Sequence, residues 1–160
     1  MLATVHRQEN TDDFKRLAAI IEGLAGVAEE LPVVLPLHPR SRARIDEAGL
    51  TDQLGALRIV DPLGYLDMVG LEKDAAIIAT DSGGVQKEAF FHGVPCVTLR
   101  EETEWVELVE AGWNRLCPPV AAPAIREAIL GARGTRGTDI HPYGTGQAAQ
   151  VILDALQRIA

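Results

Sequence analysis

Short apolar runs alternate with longer amphipathic segments along the whole chain, and this alternation limits the possible folds more than any other feature. Strands and helices that alternate in this way predict an α/β fold with a doubly wound parallel β-sheet. Six runs have the length and composition of buried β-strands: LATVH (2–6), PVVLPLH (32–38), ALRIVD (56–61), AAIIAT (75–80), PCVTL (95–99) and WNRLC (113–117).

The helices are predicted from apolar spacing and from the residues that begin and end helices. The first should begin after a cap at Asn10, Thr11 or Asp12, with apolar residues at helical spacing up to Leu24. A chain of 160 residues suits one domain, so residues 1–160 are expected to form a single domain. The other predicted helical segments are 41–49, 64–74, 84–93, 104–112, 120–132 and 145–160, with glycines 49, 93 and 112 as stops.

Composition argues against several classes of protein. The formal charge is −8, whereas proteins that bind nucleic acid or anionic membranes need basic surfaces. No apolar run approaches the ~20 residues of a membrane span. Cys96 and Cys117 lack the spacing of a zinc site and favour a reducing, cytoplasmic setting. Cys96 is predicted to be a small buried side chain.

The fourth predicted strand ends in TDSGG (80–84), and a helix-like segment follows it. Ligands of doubly wound sheets bind beyond the carboxyl ends of the strands, and the first amides of a helix lack partners within that helix. Ser82, Gly83 and Gly84 therefore predict a phosphate site, where glycines supply unusual backbone angles and permit close approach. Glu88 has the wrong sign for phosphate and is a candidate ligand for a sugar diol. The alternative is that DSGG only caps a helix and Glu88 is solvated.

Cationic side chains follow the first two predicted strands. His6 and Arg7 come after the first strand, and His38, Arg40 and Arg42 come after the second. An arginine can pair with phosphate through two hydrogen bonds, and a histidine can transfer a proton. Clustered cations in an acidic chain favour an anionic ligand, although a single histidine at a strand end is more often structural.

Other polar residues near the strand ends are assigned structural roles. Thr103 is expected to cap the helix over 104–112, and Glu104 to lie in its first turn. Asp61 and Asp81 each follow a strand and are assigned to a turn or a cap.

Five motifs together resemble the C-terminal half of the non-hydrolysing UDP-N-acetylglucosamine 2-epimerases. They are HRQEN (6–10), LHPR (37–40), TDSGGVQKEA (80–89), LREETEWVE (99–107) and HPYGTGQA (141–148), and they span essentially the whole chain. The resemblance implies a Rossmann-like nucleotide-binding domain. It would be the C-terminal half of a glycosyltransferase-B-like fold, in which two such domains face each other across a cleft. Residues 1–160 would then be a fragment that lacks the N-terminal domain.

The resemblance implies that five residues bind the nucleotide. Ser82, Gly83 and Gly84 match the diphosphate-binding turn of the family, and Glu88 matches its ribose-binding acid. Met68 falls where family members place an apolar residue near uracil.

Three further residues match positions that contact the sugar or an effector. His6 matches a histidine of the active site, and Arg7 is its substrate-binding companion. His38 matches a histidine that helps to hold a second, activating UDP-sugar in bacterial members. The residues that follow His38 differ from those of other members, so its possible effector-binding role depends on that match alone.

The implied reaction inverts C2 of a UDP-sugar. UDP leaves C1 as a base removes the C2 proton, and UDP then adds back after a proton arrives on the other face. The substrate would be UDP-N-acetylglucosamine or a diacetamido-uronic relative; TEW (103–105) is similar to epimerases of the latter kind and to archaeal members. The carboxylates for proton transfer come mostly from the family's N-terminal domain, so the chain alone is expected to bind UDP weakly and not to epimerise.

Two alternatives remain at this point: the donor-nucleotide domain of a glycosyltransferase, and a non-catalytic UDP-sensing module. The expected partners are a UDP-sugar, the missing N-terminal domain and a second copy of the whole protein in a homodimer. No cofactor and no metal are expected.

Overall fold

The computed structural model describes residues 1–144 and 146–159. Its six strands are β1 (Leu2–Thr4), β2 (Val34–Pro36), β3 (Arg58–Val60), β4 (Ile78–Thr80), β5 (Cys96–Thr98) and β6 (Asn114–Leu116). They form one parallel sheet in the order β3-β2-β1-β4-β5-β6. Each strand lies within a segment predicted as a strand, and the doubly wound parallel fold is confirmed.

The helices are α1 (Gln8–Thr11), α2 (Phe14–Ala28), α3 (Pro39–Glu47), α4 (Tyr65–Asp74), α5 (Gly83–His92), α6 (Val106–Glu110), α7 (Ala122–Ala132) and α8 (Ala148–Ile159). A 3₁₀-helix covers Thr51–Ala56. This helix and α1 were not predicted, because elements of six and four residues are too short to show a helical period. The predicted stops are confirmed, since Gly49, Gly93 and Gly112 have φ of 71°, 68° and 78° just after helices end.

Alternate residues of the central strands face two separate apolar layers, as expected for a sheet covered on both sides. On one face Ala3, Ala79 and Val97 pack in a cluster with residues of α2, α3 and α7. On the other face Leu2, Ile78 and Cys96 pack against α4 and α5. The predicted burial of Cys96 is confirmed, since it is 2% exposed and burial raises the pKa of its thiol to about 12.

Helix α8 differs from the other long helices because none of its residues is buried. Its exposed apolar side chains are Val151, Ile152, Leu153, Leu156 and Ile159. No helix in residues 1–144 and 146–159 has both the length and the apolar character that a bilayer crossing needs.

Candidate nucleotide-binding site

The loops after β1 and β4 diverge at the centre of the sheet. These two strands are neighbours, but the chain continues from β1 towards β2 and from β4 towards β5. Such a divergence opens a crevice at the carboxyl ends of the strands, where ligands of doubly wound sheets bind. His6 and Arg7 follow β1, and Asp81 and Ser82 follow β4, so the topology brings these two motifs together.

Asp81 joins the two loops and has no solvent exposure. Its carboxylate accepts hydrogen bonds from the backbone N–H of His6 at 3.1 Å and of Arg7 at 3.0 Å. The side-chain amide of Asn10 donates a third at 3.1 Å, and donates another to the Leu99 carbonyl at 3.0 Å. The assignment of Asp81 to a turn or a cap of its own segment is therefore wrong. It fixes the loop after β1 from a strand 75 residues away along the chain.

Two buried threonines join β1 to β4 just below the crevice. The hydroxyls of Thr4 and Thr80 are 2.6 Å apart and hydrogen-bonded. Thr80 Oγ1 also accepts from the backbone N–H of Ser82 at 2.9 Å. The chain is therefore held firmly where α5 begins.

The first turn of α5 presents free backbone amides to the crevice. The amides of Gly83, Gly84 and Val85 precede the first intrahelical bond, which runs from Gln86 N to Ser82 O at 3.4 Å. In the described part of the chain, no hydrogen bond outside the helix uses these three amides. The Ser82 side chain does not cap the helix either. The arrangement can bind an anion through three N–H groups and the positive end of the helix dipole.

The two glycines allow close approach to the main chain, but not through unusual backbone angles. Neither Gly83 nor Gly84 has a positive φ, so the predicted conformational role is wrong. A Cβ at Gly83 would lie 3.5 Å from Glu104 Oε2 and 3.6 Å from Trp105 Nε1, which form one wall. A Cβ at Gly84 would have only Ser82 Oγ within 4 Å, at 3.8 Å. The amide face is therefore open at Gly84.

Glu104 carries a negative charge next to this anion site, and two arginines offset it. Arg100 is 5% exposed and donates to Glu104 Oε2 at 2.9 Å. Arg7 approaches Glu104 Oε1 at 3.5 Å. The bonds to Arg100 hold the pKa of Glu104 below its usual range. Glu104 precedes α6 and is not in its first turn, so that prediction is wrong.

Thr103 does not begin α6, which starts three residues later. Its hydroxyl donates to Gln86 Oε1 at 2.6 Å, and so ties this loop to α5. Trp105 is held in the same region, because its indole N–H donates to the Gly83 carbonyl at 2.8 Å. The Lys87 ammonium lies 4.4 Å from the Trp105 ring and 4.2 Å from the Tyr143 ring.

A cleft of about 460 Å³ adjoins the crevice on the side of β1 and β2. Met68 of α4 and Val85 of α5 form part of its apolar wall, and His6, His38 and Arg40 contribute its polar groups. Its size and lining suit a flat ring with a few polar atoms.

His38 and the nearby arginines are partly engaged by other residues. His38 precedes α3, and its Nδ1 accepts from the backbone N–H of Arg40 at 3.2 Å. The Arg40 side chain bonds to Asp12 at 3.3 Å, and Arg42 is exposed. His38 lines the same cleft as Met68.

His6 lies at the mouth of the crevice. Its side chain is 53% exposed, and Nε2 is 3.8 Å from the buried carboxylate of Asp81. The imidazole is therefore accessible to a ligand while its protonated form has a nearby negative partner.

Glu88 is half-buried on the α5 face that packs against α4. Its neighbour is Glu72 of α4, which is 1% exposed. Burial, and then the charge of Glu88, raise the pKa of Glu72 to about 7. Sequence reasoning missed Glu72, because a glutamate within "GLEKD" has no local sign of burial.

No group of three or more His, Cys, Asp or Glu side chains among residues 1–144 and 146–159 is arranged to hold a metal ion. The amides at the start of α5 support an anion site, and the cleft beside them is the size of a ring.

Comparisons with known proteins agree with this geometry. A family model described as UDP-N-acetylglucosamine 2-epimerase matches residues 1–157. The chain is 46% identical over 160 residues to the UDP-2,3-diacetamido-2,3-dideoxy-D-glucuronate 2-epimerase of Pseudomonas aeruginosa, covering 99% of this chain and 44% of that one. It is 38% identical over 160 residues to the UDP-N-acetylglucosamine 2-epimerase of Methanocaldococcus jannaschii, covering 97% and 43%.

Solved structures show the same likeness. The crystal structure of the Methanocaldococcus jannaschii UDP-GlcNAc 2-epimerase in complex with UDP-GlcNAc and UDP matches with a TM-score of 0.87 at 37% identity. The match covers 98% of this chain and 44% of that one. The sequence thus spans less than half the length of these relatives, and its Rossmann-like fold matches one half of a glycosyltransferase-B-like epimerase.

Proposed function

Since the chain belongs to the UDP-N-acetylglucosamine 2-epimerase family, as its five motifs predicted, we propose that it is the UDP-binding domain of a UDP-sugar 2-epimerase. The observation that carries this proposal is the set of three unpaired amides at the start of α5, open at Gly84. One solved relative is a complex with UDP-GlcNAc and UDP, which supports a UDP-sugar as the ligand here.

In this proposal each part of the nucleotide has its own contacts. The diphosphate binds the amides of Gly83, Gly84 and Val85, with Ser82 Oγ and Arg7 at its sides. The ribose diol donates to Glu88. The uracil ring enters the adjoining cleft near Met68.

The same contacts assist departure of UDP from C1 of the sugar. Negative charge grows on the diphosphate as the C1–O bond breaks, and preoriented amides stabilise it without reorganisation. His6 lies beside the crevice with Asp81 behind it, so its imidazolium can stabilise the same charge. His6 is in this sense the proposed catalytic residue of this domain.

The base that removes the C2 proton must come from another part of the protein. Asp81 is buried at the crevice, and its oxygens already accept from two backbone amides and Asn10. Glu104 is paired with Arg100. We therefore propose that residues 1–160 bind UDP but do not epimerise without the remaining half of the enzyme.

The substrate is UDP-N-acetylglucosamine or a diacetamido-uronic relative, since relatives named for both sugars are similar to this chain. Family membership favours epimerisation over the two alternatives, sugar transfer and UDP sensing. Inversion at C2 in the whole protein, with no transfer to an acceptor, would distinguish it from a glycosyltransferase.

The binding test compares Glu88→Ala with Glu29→Ala by calorimetry with UDP. Glu88→Ala removes an acceptor from the ribose and is expected to weaken binding by about 1.5–3 kcal/mol. Glu29 is exposed just after α2, far from the crevice, and serves as the matched control. Ser82→Ala should have a smaller effect because the amides remain. Equal affinities for Glu88→Ala and the unmodified chain would contradict the placement of the ribose.

A further inference from the structure

Glu72 is a buried acid without a conventional partner. It lies in the last turns of α4 and is 1% exposed. Among the described residues, no N–H or O–H group donates a hydrogen bond to its Oε2 atom. A buried carboxylate left in this state is destabilised by several kcal/mol unless it is protonated or paired.

Two groups of α5 face Glu72. Glu88 lies on the α5 face that packs against α4, and its charge opposes ionisation of Glu72. His92 Nε2 is 3.8 Å from Glu72 Oε2. Lys73 and Asp74, on its own helix, are exposed. The apolar cluster under α4 and α5 contains one further titratable group, the thiol of Cys96, whose pKa of about 12 keeps it neutral.

Two carboxyl groups can share a hydrogen bond only when one of them carries a proton. Burial favours the neutral form of Glu72, which is the less exposed of the two. Glu72 is therefore the donor and Glu88 the charged acceptor. The pKa of about 7 for Glu72 agrees with this assignment.

The pair lies about one helical turn from the cleft. Met68 and Val85 line that cleft from α4 and α5. Glu72 comes four residues after Met68, and Glu88 three residues after Val85, so each acid lies on the same helix face as the cleft residue before it.

We propose that Glu72 is a positioning residue: its proton holds the Glu88 carboxylate in the orientation that accepts hydrogen bonds from the ribose of the nucleotide. This inference rests on the proposed UDP site. Glu72 itself does not touch the ligand, and it acts through Glu88.

The arrangement makes UDP affinity depend on pH in a defined direction. Below about pH 7 Glu72 keeps its proton, and the hydrogen bond to Glu88 is present. Above about pH 7 both carboxyl groups are charged and repel each other, and Glu88 turns away from the ribose.

The experiment measures UDP binding by calorimetry at about pH 6 and pH 8.5 for the unmodified chain, Glu72→Gln and Glu72→Ala. Glu72→Gln keeps a donor at every pH, so it should match the unmodified chain at low pH and bind about tenfold tighter than it at high pH. Glu72→Ala should bind more weakly at both. UDP itself is ionised to the same extent in every titration at a given pH. Its contribution therefore cancels when variants are compared at that pH.

A second measurement uses the unmodified protein. If protonated Glu72 favours the bound state, saturating UDP must raise the pKa of Glu72, by linkage. Carbon-detected NMR titration with labelled glutamate observes this directly, with Glu72→Gln identifying the resonance. This readout holds even if the alanine variant does not fold.

The outcomes separate the two proposals. Identical pH profiles for Glu72→Gln and the unmodified chain, or an unchanged Glu72 titration with UDP, would overturn the inference and leave the UDP site intact. In a Glu88→Ala background, Glu72→Gln should have no effect on binding, and a persisting effect would also overturn it. Absence of UDP binding to the unmodified chain would overturn the proposed function, and the inference with it.

Discussion

Asp81 is the residue on which the geometry of the crevice depends most directly. Its buried carboxylate accepts hydrogen bonds from the backbone of His6 and Arg7 and from the Asn10 side chain. The donors belong to the loop after β1 and to α1, which follows it, so a single side chain sets the position of the proposed catalytic histidine and its arginine companion. The Asp81 carboxylate acts by holding these residues in place, because its oxygens already accept hydrogen bonds.

Replacing Asp81 by asparagine should therefore destabilise the fold. The new amide group would point a donor at a backbone N–H, and the cost of such a buried mismatch is about 1–3 kcal/mol in the free energy of unfolding. Urea denaturation measures it. Asp61→Asn is the matched control, because Asp61 is exposed and its change should stay within about 0.5 kcal/mol. Equal stability of the two variants would contradict the role given to Asp81.

Sequence alone could not separate Asp81 from Asp61. Both follow an apolar strand, and the difference lies in donors from a loop 75 residues away. The same limit explains why Glu72 was missed, since its burial depends on packing against α5. By contrast, the TDSGG turn was located correctly because strand end, glycines and helix start are all local features. The roles proposed for its residues remain predictions.

At the scale of elements, α5 carries the proposed anion site at its first turn and Glu88, the proposed ribose acid, near its middle. The helix is fixed from several sides: Ser82 N donates to Thr80, Thr103 donates to Gln86, and Trp105 donates to the Gly83 carbonyl. A ligand at its N-terminus thus meets a rigid set of amides.

Gly84→Ala tests that amide face without disturbing the helix. Gly84 has no positive φ, and the new methyl group would meet only Ser82 Oγ, at 3.8 Å. The fold should therefore persist while the methyl blocks the diphosphate, weakening UDP by at least about tenfold, or 1.4 kcal/mol. Calorimetry and thermal unfolding on the same sample measure both effects.

Gly70→Ala supplies the matched control. Gly70 lies in α4 with no atom within 4 Å of an added Cβ, so the change should stabilise the helix by up to about 1 kcal/mol. Its UDP affinity should equal that of the unmodified chain. If Gly84→Ala binds UDP equally well, the diphosphate does not contact the start of α5.

The strands and long helices could be predicted because their periodicity is strong. Helix α1 and the start of α6 could not, and the cap of α2 is Asp13 rather than the predicted Asn10, Thr11 or Asp12. Helix α1 has four residues and no side-chain cap of its own, and the Asp81 carboxylate, which follows β4, accepts from the backbone amides of His6 and Arg7 just before the helix. The helix expected at Thr103 begins later, at Val106. The Thr103 hydroxyl donates to Gln86 and accepts from the backbone N–H of Trp105, which still lies before the helix.

At the scale of the whole molecule, the described residues supply the start of α5 and the adjoining cleft. The chain spans less than half the length of its relatives, and the crevice carboxylates are already engaged. The homodimer and the N-terminal domain expected from the sequence remain predictions.

The purified chain should bind UDP and leave UDP-sugars unchanged. Incubation of UDP-N-acetylglucosamine and of its diacetamido-uronic relative in deuterated water, followed by NMR, would detect exchange at C2. No exchange is expected, because the proposed role of the site is to stabilise the leaving group, and its carboxylates Asp81 and Glu104 are already hydrogen-bonded. Incorporation of deuterium at C2 by the purified chain would contradict the proposal that the base comes from another part of the enzyme. The whole epimerase is the positive control.

Trp105 lies beside the proposed nucleotide site, so its intrinsic fluorescence can report the binding of UDP. Its indole is bonded to the Gly83 carbonyl, whereas Trp113 is 7% exposed and bonded to Thr138. Fluorescence emission should therefore respond when UDP arrives, and Trp105→Phe should remove the response while calorimetric binding persists. If the fluorescence response survives in Trp105→Phe, it comes from Trp113, and UDP does not bind beside Trp105. With Trp105 as the reporter, UDP occupancy could be followed continuously by fluorescence, without an added label, in every variant that retains Trp105.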